Sequence, residues 1–388
     1  QVGEGRMGPL LGATAKGGVN RQALTDLDKQ GRDLFLDWCR AAGCSIRIDS
    51  AGNIFARRAG KRNDLPAGMT GSHLDTQPTG GKFDGLFDLD VETERPVEVT
   101  VWTNEEGCRF APAMMGSGLF VGKFDAEATA NITDQDGKSF AEELERIGYR
   151  GSDVVKPEEI GAFFEVHIEQ GPILEAEKRT IGIVTGAQGQ RWFDVTVTGQ
   201  EAHAGPTPME IRRDALVGAS RIVQAVNRIG LEHLPRACAT VGQFVVTPNS
   251  RNTIPGRVAF SVDFRHPDDD RLSSMKAALE GETKAICDDI GLELELTEIW
   301  YQPPLKFAED CIAAVRQGAE ASGFEGYEIV SGAGHDPCHI AGLAPTAMIF
   351  IPCEDGISHN EVENATRDDC AAGCNVLLHA MVERANTL

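Results

Sequence analysis

The sequence predicts an α/β protein: a layered domain with a largely parallel sheet, interrupted by an inserted ferredoxin-like domain. Three observations carry this. The 388 residues exceed what one hydrophobic core usually serves. Short apolar runs alternate with helical patterns towards both ends of the chain. Between them the order changes to β-α-β-β-α-β, the split unit of ferredoxin-like domains.

Taken in order, Leu24, Leu27, Leu34, Phe35 and Trp38 recur at three-to-four spacing before Gly43, which predicts an amphipathic helix between Asn20 and Gly43. Apolar runs at 45–48, 53–56, 68–72 and 97–103 read as strands of one sheet, with helical patterns near 112–121 and 139–147. Further strands are expected at 163–168 and 181–184, and the theme returns at 312–321, 347–351 and 367–383. The middle segment reads as strand 192–197, helix 209–229, strands 239–246 and 257–264, helix 271–290 and strand 292–300. The domains are therefore expected to be 1–186 with 306–388, and an insert at 187–305, with Gly186 and Pro303-Pro304 near its ends.

The 59 acidic against 37 basic side chains give a net charge of −22, which repels nucleic-acid phosphates and anionic membranes. No run approaches the roughly eighteen apolar residues of a membrane span, and no secretory signal opens the sequence. A cytoplasmic location follows as the expectation, and ten scattered cysteines without a CxxC suit reduced thiols. The expected partner is a small molecule or another subunit. If that molecule is anionic, a local arginine must overcome the global field.

Candidate chemistry sits at predicted strand ends, where ligands gather in α/β sheets. Ser72-His73-Leu74-Asp75 ends one strand, and Asp75 is placed to accept from the second ring nitrogen of His73. Lys82-Phe83-Asp84-Gly85 follows. The next strand runs into Asn104-Glu105-Glu106-Gly107, where adjacent carboxylates are either an exposed acidic turn or a cation site with divided roles. His167 lies in Glu165-Val166-His167-Ile168-Glu169-Gln170, as a satisfied core histidine or a ligand, and His359 lies in a loop after strand 347–351. Together His73, Asp84, Glu106, His167 and His359 form an oxygen and nitrogen set suited to Zn²⁺, Mn²⁺, Co²⁺ or Ni²⁺.

The ordered motifs HLD, KFDG, TNEEG, EVHIEQGP, EAHAG, SRNTIPG, DFR, GAGHD and ISHNE resemble the hydantoinase/carbamoylase branch of the aminoacylase and carboxypeptidase superfamily of di-metal hydrolases, over nearly the whole chain. The resemblance implies two divalent ions bridged by Asp84, with Glu106 and His359 completing one site and His73 and His167 the other. It implies Glu105 as general base, His203 polarising the scissile carbonyl, and Asn252 and Arg265 holding a substrate carboxylate, with Gln170 lining the pocket. Gly334, in the GAGHD stretch, is a lesser candidate for close backbone approach to substrate. A histidine at 167, where peptidase relatives carry an acidic ligand, favours this branch. The implied reaction is hydrolysis of N-carbamoyl-L-amino acids, with allantoate, N-carbamoyl-β-alanine and N-acyl amino acids as the alternatives. A non-catalytic binding relative is the rival of another class, which the retained Glu105 disfavours. A homodimer formed through the insert, which also closes as a lid, is implied as well.

One departure stands out. Only the ten residues Leu86 to Arg95, rich in acids, separate Gly85 from Pro96. The buried helix that the resemblance places behind Asp84 does not fit there, so residues of that helix are expected to be missing from this sequence.

Overall fold

The computed structural model describes residues 11–14, 18–77 and 93–387. The chain divides into two compact units, Gly186–Lys306 and the remainder.

In the larger unit, strands are ordered Ser45–Ile48, Ile54–Arg58, Val97–Trp102, Ala67–His73, Ile160–Ile168, Thr346–Ile351 and Gly182–Ala187. The four central strands, from Val97–Trp102 to Thr346–Ile351, are mutually parallel, and the flanking ones are antiparallel. Parallel strands are buried on both faces, so they read as continuous apolar runs without alternation. Met69, Trp102, Phe163, Phe164 and Phe350 are accordingly buried within them. Helix Arg367–Thr387 packs on this sheet, and Gly373 allows the approach, because a Cβ there would lie 2.7 Å from Ile351 and 2.8 Å from Val166. The register aligns the carboxyl ends of the four strands, with His73 opposite Trp102 and His167 opposite Phe350.

Two expectations need correction. Helix Asp26–Ala41 forms, capped by the Thr25 hydroxyl on the Asp28 N–H, but its buried residues are Asp28, Arg32 and Leu36. Of the apolar stripe of the sequence, Leu27, Leu34 and Trp38 are exposed, Phe35 is partly buried and Leu24 is buried just ahead of the helix. The inward face is set by a polar knot: Asp28 accepts from Arg32 at 2.9 Å and from the Leu24 N–H, while Arg32 donates to the Gly52 carbonyl and the Thr103 hydroxyl. Arg32 and Asp28 Oδ2 are satisfied by these bonds, which is what makes burial of the pair tolerable, whereas Asp28 Oδ1 has no hydrogen-bond partner among the described residues. The second correction concerns 112–121, where only Met115–Phe120 is helical. Residues 104–114 form an irregular loop, with Asn104 and Met114 in the left-handed region.

The unit Gly186–Lys306 has strands Gly189–Thr198, Cys238–Thr247, Arg257–His266 and Glu293–Gln302, with helices Ala215–Glu232 and Asp269–Asp289. In chain order the strands lie 4-1-3-2 across an antiparallel sheet. Residues alternating along it, including Phe193, Val195, Val197, Phe260, Val262 and Phe264, bury against both helices to form a separate core.

Candidate functional site

The loop after strand Val97–Trp102 is tied down at almost every residue. Asn53 accepts from the Thr103 N–H at 3.0 Å and donates to Asp49 and the Gly116 carbonyl. The buried Asp75 carboxylate accepts from the N–H groups of Glu105, at 3.2 Å, and Glu106, at 3.1 Å. The loop returns through Met114 N–H to Glu105 carbonyl, Met115 N–H to Asn104 carbonyl and Gly116 N–H to Thr103 carbonyl, at 2.7, 3.2 and 2.8 Å. Arg109 fixes the outer side, pairing with Asp134 at 2.9 Å and Glu143 at 2.6 Å and donating to the Ala23 carbonyl.

These anchors aim Glu105 at His73, with Oε2 3.5 Å from Nε2. Asp75 plays a different part from the one expected. The Nδ1–H of His73 donates to the backbone carbonyl of Asp75 at 2.8 Å, while the carboxylate lies 3.7 Å away and holds the Glu105-Glu106 backbone. A carbonyl can only accept, so the tautomer is fixed all the same and Nε2 carries the lone pair. His167 repeats the device, with Nδ1 at 2.8 Å from the Ile168 carbonyl. The two imidazoles are near-parallel with centroids 6.3 Å apart.

The structure brings together His73, Glu105 and Glu106 as one group and Glu165, His167 and His335 as another, with potential ligand atoms in each within 4.8 Å. His359, on its loop after Thr346–Ile351, lies 3.7 Å from Glu106, whose Oε2 also accepts from Gln77 at 2.8 Å. Asp84 and residues 86–92 of the acidic stretch that follows it lie outside the described residues.

Burial pushes Glu105 well above the usual carboxylate range, and the charges of Asp336, Glu106 and Asp75 push the same way against the pull of His73. Burial likewise raises Asp75 to about 6. A crowd of desolvated acids beside two imidazole lone pairs is costly unless positive charge is supplied, which is the environment a divalent cation fits. Oxygen and nitrogen donors without thiolate suit borderline and harder divalent ions.

Glu165, Gln77 and His335 were not singled out from the sequence. Glu165 had a signal, since it shares a strand face with His167 at period two. His335 stands beside Gly334 and places its ring 4.5 Å from that of His167. Gln170, in the left-handed region, has a buried Oε1 with no hydrogen-bond partner among the described residues.

The other predicted residues belong to the unit Gly186–Lys306. His203 and Asn252 adjoin through the pairing of Ala202–His203 with Thr253–Ile254, and the Ala204 N–H donates to the Asn252 carbonyl. His203 Nδ1 accepts from the Gly205 N–H at 3.0 Å, so its proton sits on Nε2, ready to donate. Arg265 is held by Asp263 at 2.9 Å.

Peptidase family M20/M25/M40 matches residues 83–383. The chain is 46% identical to an N-carbamoyl-L-amino-acid amidohydrolase of Rhizobium meliloti, over 97% of this chain and 93% of that one. It is 34% identical to an allantoate amidohydrolase of Escherichia coli (strain K12), over 95% and 93%. Among solved structures, an amidase of the hydantoinase/carbamoylase family from Burkholderia multivorans is 58% identical with a TM-score of 0.91, covering 97% of this chain and 94% of that one.

Proposed function

The chain belongs to peptidase family M20/M25/M40 and to its hydantoinase/carbamoylase amidases, and from that membership we propose that it hydrolyses the carbamoyl C–N bond of N-carbamoyl-L-amino acids. Amino acid, carbon dioxide and ammonia are the products. The observation that carries the reading is the buried Glu105, held by its backbone and facing the tautomer-fixed His73.

In this reading His73, Asp84, Glu106, His167 and His359 hold two divalent ions of the Zn, Mn, Co or Ni class. Such ions, when bound, acidify water and stabilise developing negative charge. Glu105 takes the proton of the attacking water and returns it to the leaving nitrogen. His203, with its proton on Nε2, donates to the oxygen of the scissile carbonyl as charge develops there. Arg265 and Asn252 grip the substrate carboxylate, the guanidinium providing a fork that matches two oxygens. Gln170 and Gly334 line the pocket.

Allantoate is the second substrate to weigh, because a relative bearing that activity is 34% identical. A panel of N-carbamoyl-L-amino acids, allantoate, N-carbamoyl-β-alanine and N-acetyl amino acids, assayed for ammonia and amine release with each metal, tests the reading. Turnover of allantoate above all N-carbamoyl substrates would replace it. Metal binding without turnover of any would leave a binding protein.

The reading extends to a homodimer formed by the unit Gly186–Lys306, checked by light scattering for twice the 41.7 kDa of one chain. Ten free cysteines favour a reducing, cytoplasmic setting. No helix among the described residues is long and apolar enough to cross a membrane.

A further inference from the structure

Next to the Glu105 loop, four side chains form a hydrogen-bonded chain from the surface into the interior. Lys123 is exposed, whereas His339, Ser117 and Asp336 are buried. Lys123 Nζ lies 3.2 Å from His339 Nε2, His339 Nδ1 lies 3.0 Å from Ser117 Oγ, and Ser117 Oγ bonds Asp336 Oδ1.

The direction of every bond follows from one end. An ammonium group only donates, so His339 Nε2 must accept and its proton sits on Nδ1. That proton goes to Ser117 Oγ, which leaves the serine proton for Asp336 Oδ1 as the nearer of its two acceptors, the other being the Met114 carbonyl at 3.2 Å. Burial and the neighbouring Lys123 keep His339 neutral, with its pKa lowered to about 4, as this pattern requires.

The chain joins two pieces of the site. Ser117 lies in helix Met115–Phe120, whose first residues receive the Glu105 loop through the bonds from Met114, Met115 and Gly116. The helix lies close against that strand end, where a Cβ at Gly116 would lie 2.3 Å from the Asn53 amide oxygen and 2.5 Å from the Thr103 nitrogen. Asp336, at the other end of the bond, follows His335, whose ring packs on His167. A displacement of Asp336 relative to Ser117 is therefore a displacement of the His167-His335 side of the site relative to Glu105.

We propose that Ser117 is a positioning residue for the hydrolysis, the joint that sets the general-base loop against the His335-Asp336 loop, with its proton aimed by His339 and Lys123. This rests on the reading of Glu105 as general base. Misplacement by about an ångström costs on the order of 100-fold in rate. Ser117→Ala should thus lower kcat about 10- to 100-fold with KM changed less than about 2-fold and divalent-metal content retained. Ser117→Thr, which keeps the hydroxyl, should recover most of the loss. Lys123→Met, at an exposed position, should lower kcat about 2- to 5-fold and have no additional effect in the Ser117→Ala background.

All variants are compared with Glu105→Gln and by thermal unfolding. An active Glu105→Gln protein would remove the underlying reading. An inactive Glu105→Gln with a folded, metallated Ser117→Ala at wild-type kcat would overturn the joint alone. So would a Ser117→Thr that restores Tm without restoring kcat. If Ser117→Ala does not fold, wild-type kcat in Lys123→Met overturns the joint instead.

Discussion

In the unit that carries His73, Glu105 and His167, acids are desolvated and oriented by backbone. Asp75 accepts from the two peptide N–H groups of the Glu105-Glu106 pair, and both imidazoles are fixed by main-chain carbonyls. In the unit Gly186–Lys306, His203 and Asn252 are exposed and Arg265 is a third exposed at its side chain, paired with Asp263. The first arrangement stores charge where water cannot screen it, so each group is held to one geometry before any ligand arrives. The second leaves its groups solvated, so their worth comes only when a ligand displaces water. Burial suits a group that must bind ions or change protonation, and exposure suits one that must grasp and release.

Breaking the buried side should cost most. Glu105→Gln is expected to retain divalent metal while kcat falls by about 10²- to 10⁴-fold, the usual worth of a general base. Metal analysis beside steady-state kinetics checks it, and metal loss here with a metallated, active Glu106→Gln would show the two roles reversed.

On the exposed side, Arg265→Ala should lower kcat/KM for carboxylate substrates by about 2 to 3 kcal/mol, largely through KM, as for a lost charge-assisted contact. Arg265→Lys should recover only part, because a point charge does not reproduce the fork. Unchanged kinetics in both variants would take Arg265 out of the reaction and leave only its pair with Asp263.

Asp75→Asn sharpens the contrast from within the buried unit. One amide oxygen can still accept, but the second N–H of the Glu105-Glu106 turn then faces an NH₂ group. Metal affinity should fall about 10- to 100-fold, in line with other outer-shell substitutions. Competition with a chelator would read this, and wild-type affinity would show that Asp75 is dispensable.

The smallest effect is on stability. Burial pushes Asp134 up, but the Lys138 N–H, Arg109 and the Asp136 N–H outweigh it and hold the carboxyl below its usual range. Glu143 is also lowered, by Arg146 and Arg109 against burial. Depressed folded-state values add stability that is present above the unfolded values, near pH 4, and is lost as pH falls through the folded ones. The difference in Tm between wild type and Arg109→Gln should therefore be largest near neutrality, a few degrees, and shrink towards pH 3. A difference independent of pH would mean that Arg109 acts by packing alone.

Much of the architecture was legible because its signals are local. Buried parallel strands produce apolar runs, and the insert's 3.6- and 2-residue periods survive in isolation. The helix Asp26–Ala41 shows the limit. Its position was readable from spacing and Gly43, but its inward face was chosen by Arg32, whose partners at Gly52 and Thr103 are distant in sequence. Of the candidate site, His73, Glu105, Glu106, His167 and His359 stood out as histidines and acids at predicted strand ends; the structure groups His73 with Glu105 and Glu106, sets His359 3.7 Å from Glu106, and groups His167 with Glu165 and His335. His335 and the Ser117-Asp336 bond were not legible, because 219 residues separate that pair and no periodicity reports a contact across such a distance.

By itself the sequence determined which residues carry charge and lone pairs, and at which strand ends, since composition and periodicity are properties of the chain. Only the tertiary structure decided which atom of each does the holding: the carbonyl of Asp75 for His73, its carboxylate for Glu105 and Glu106. Hydrogen bonds depend on distance and angle to a few tenths of an ångström, and those are fixed when the strands and loops pack, not when their order is written.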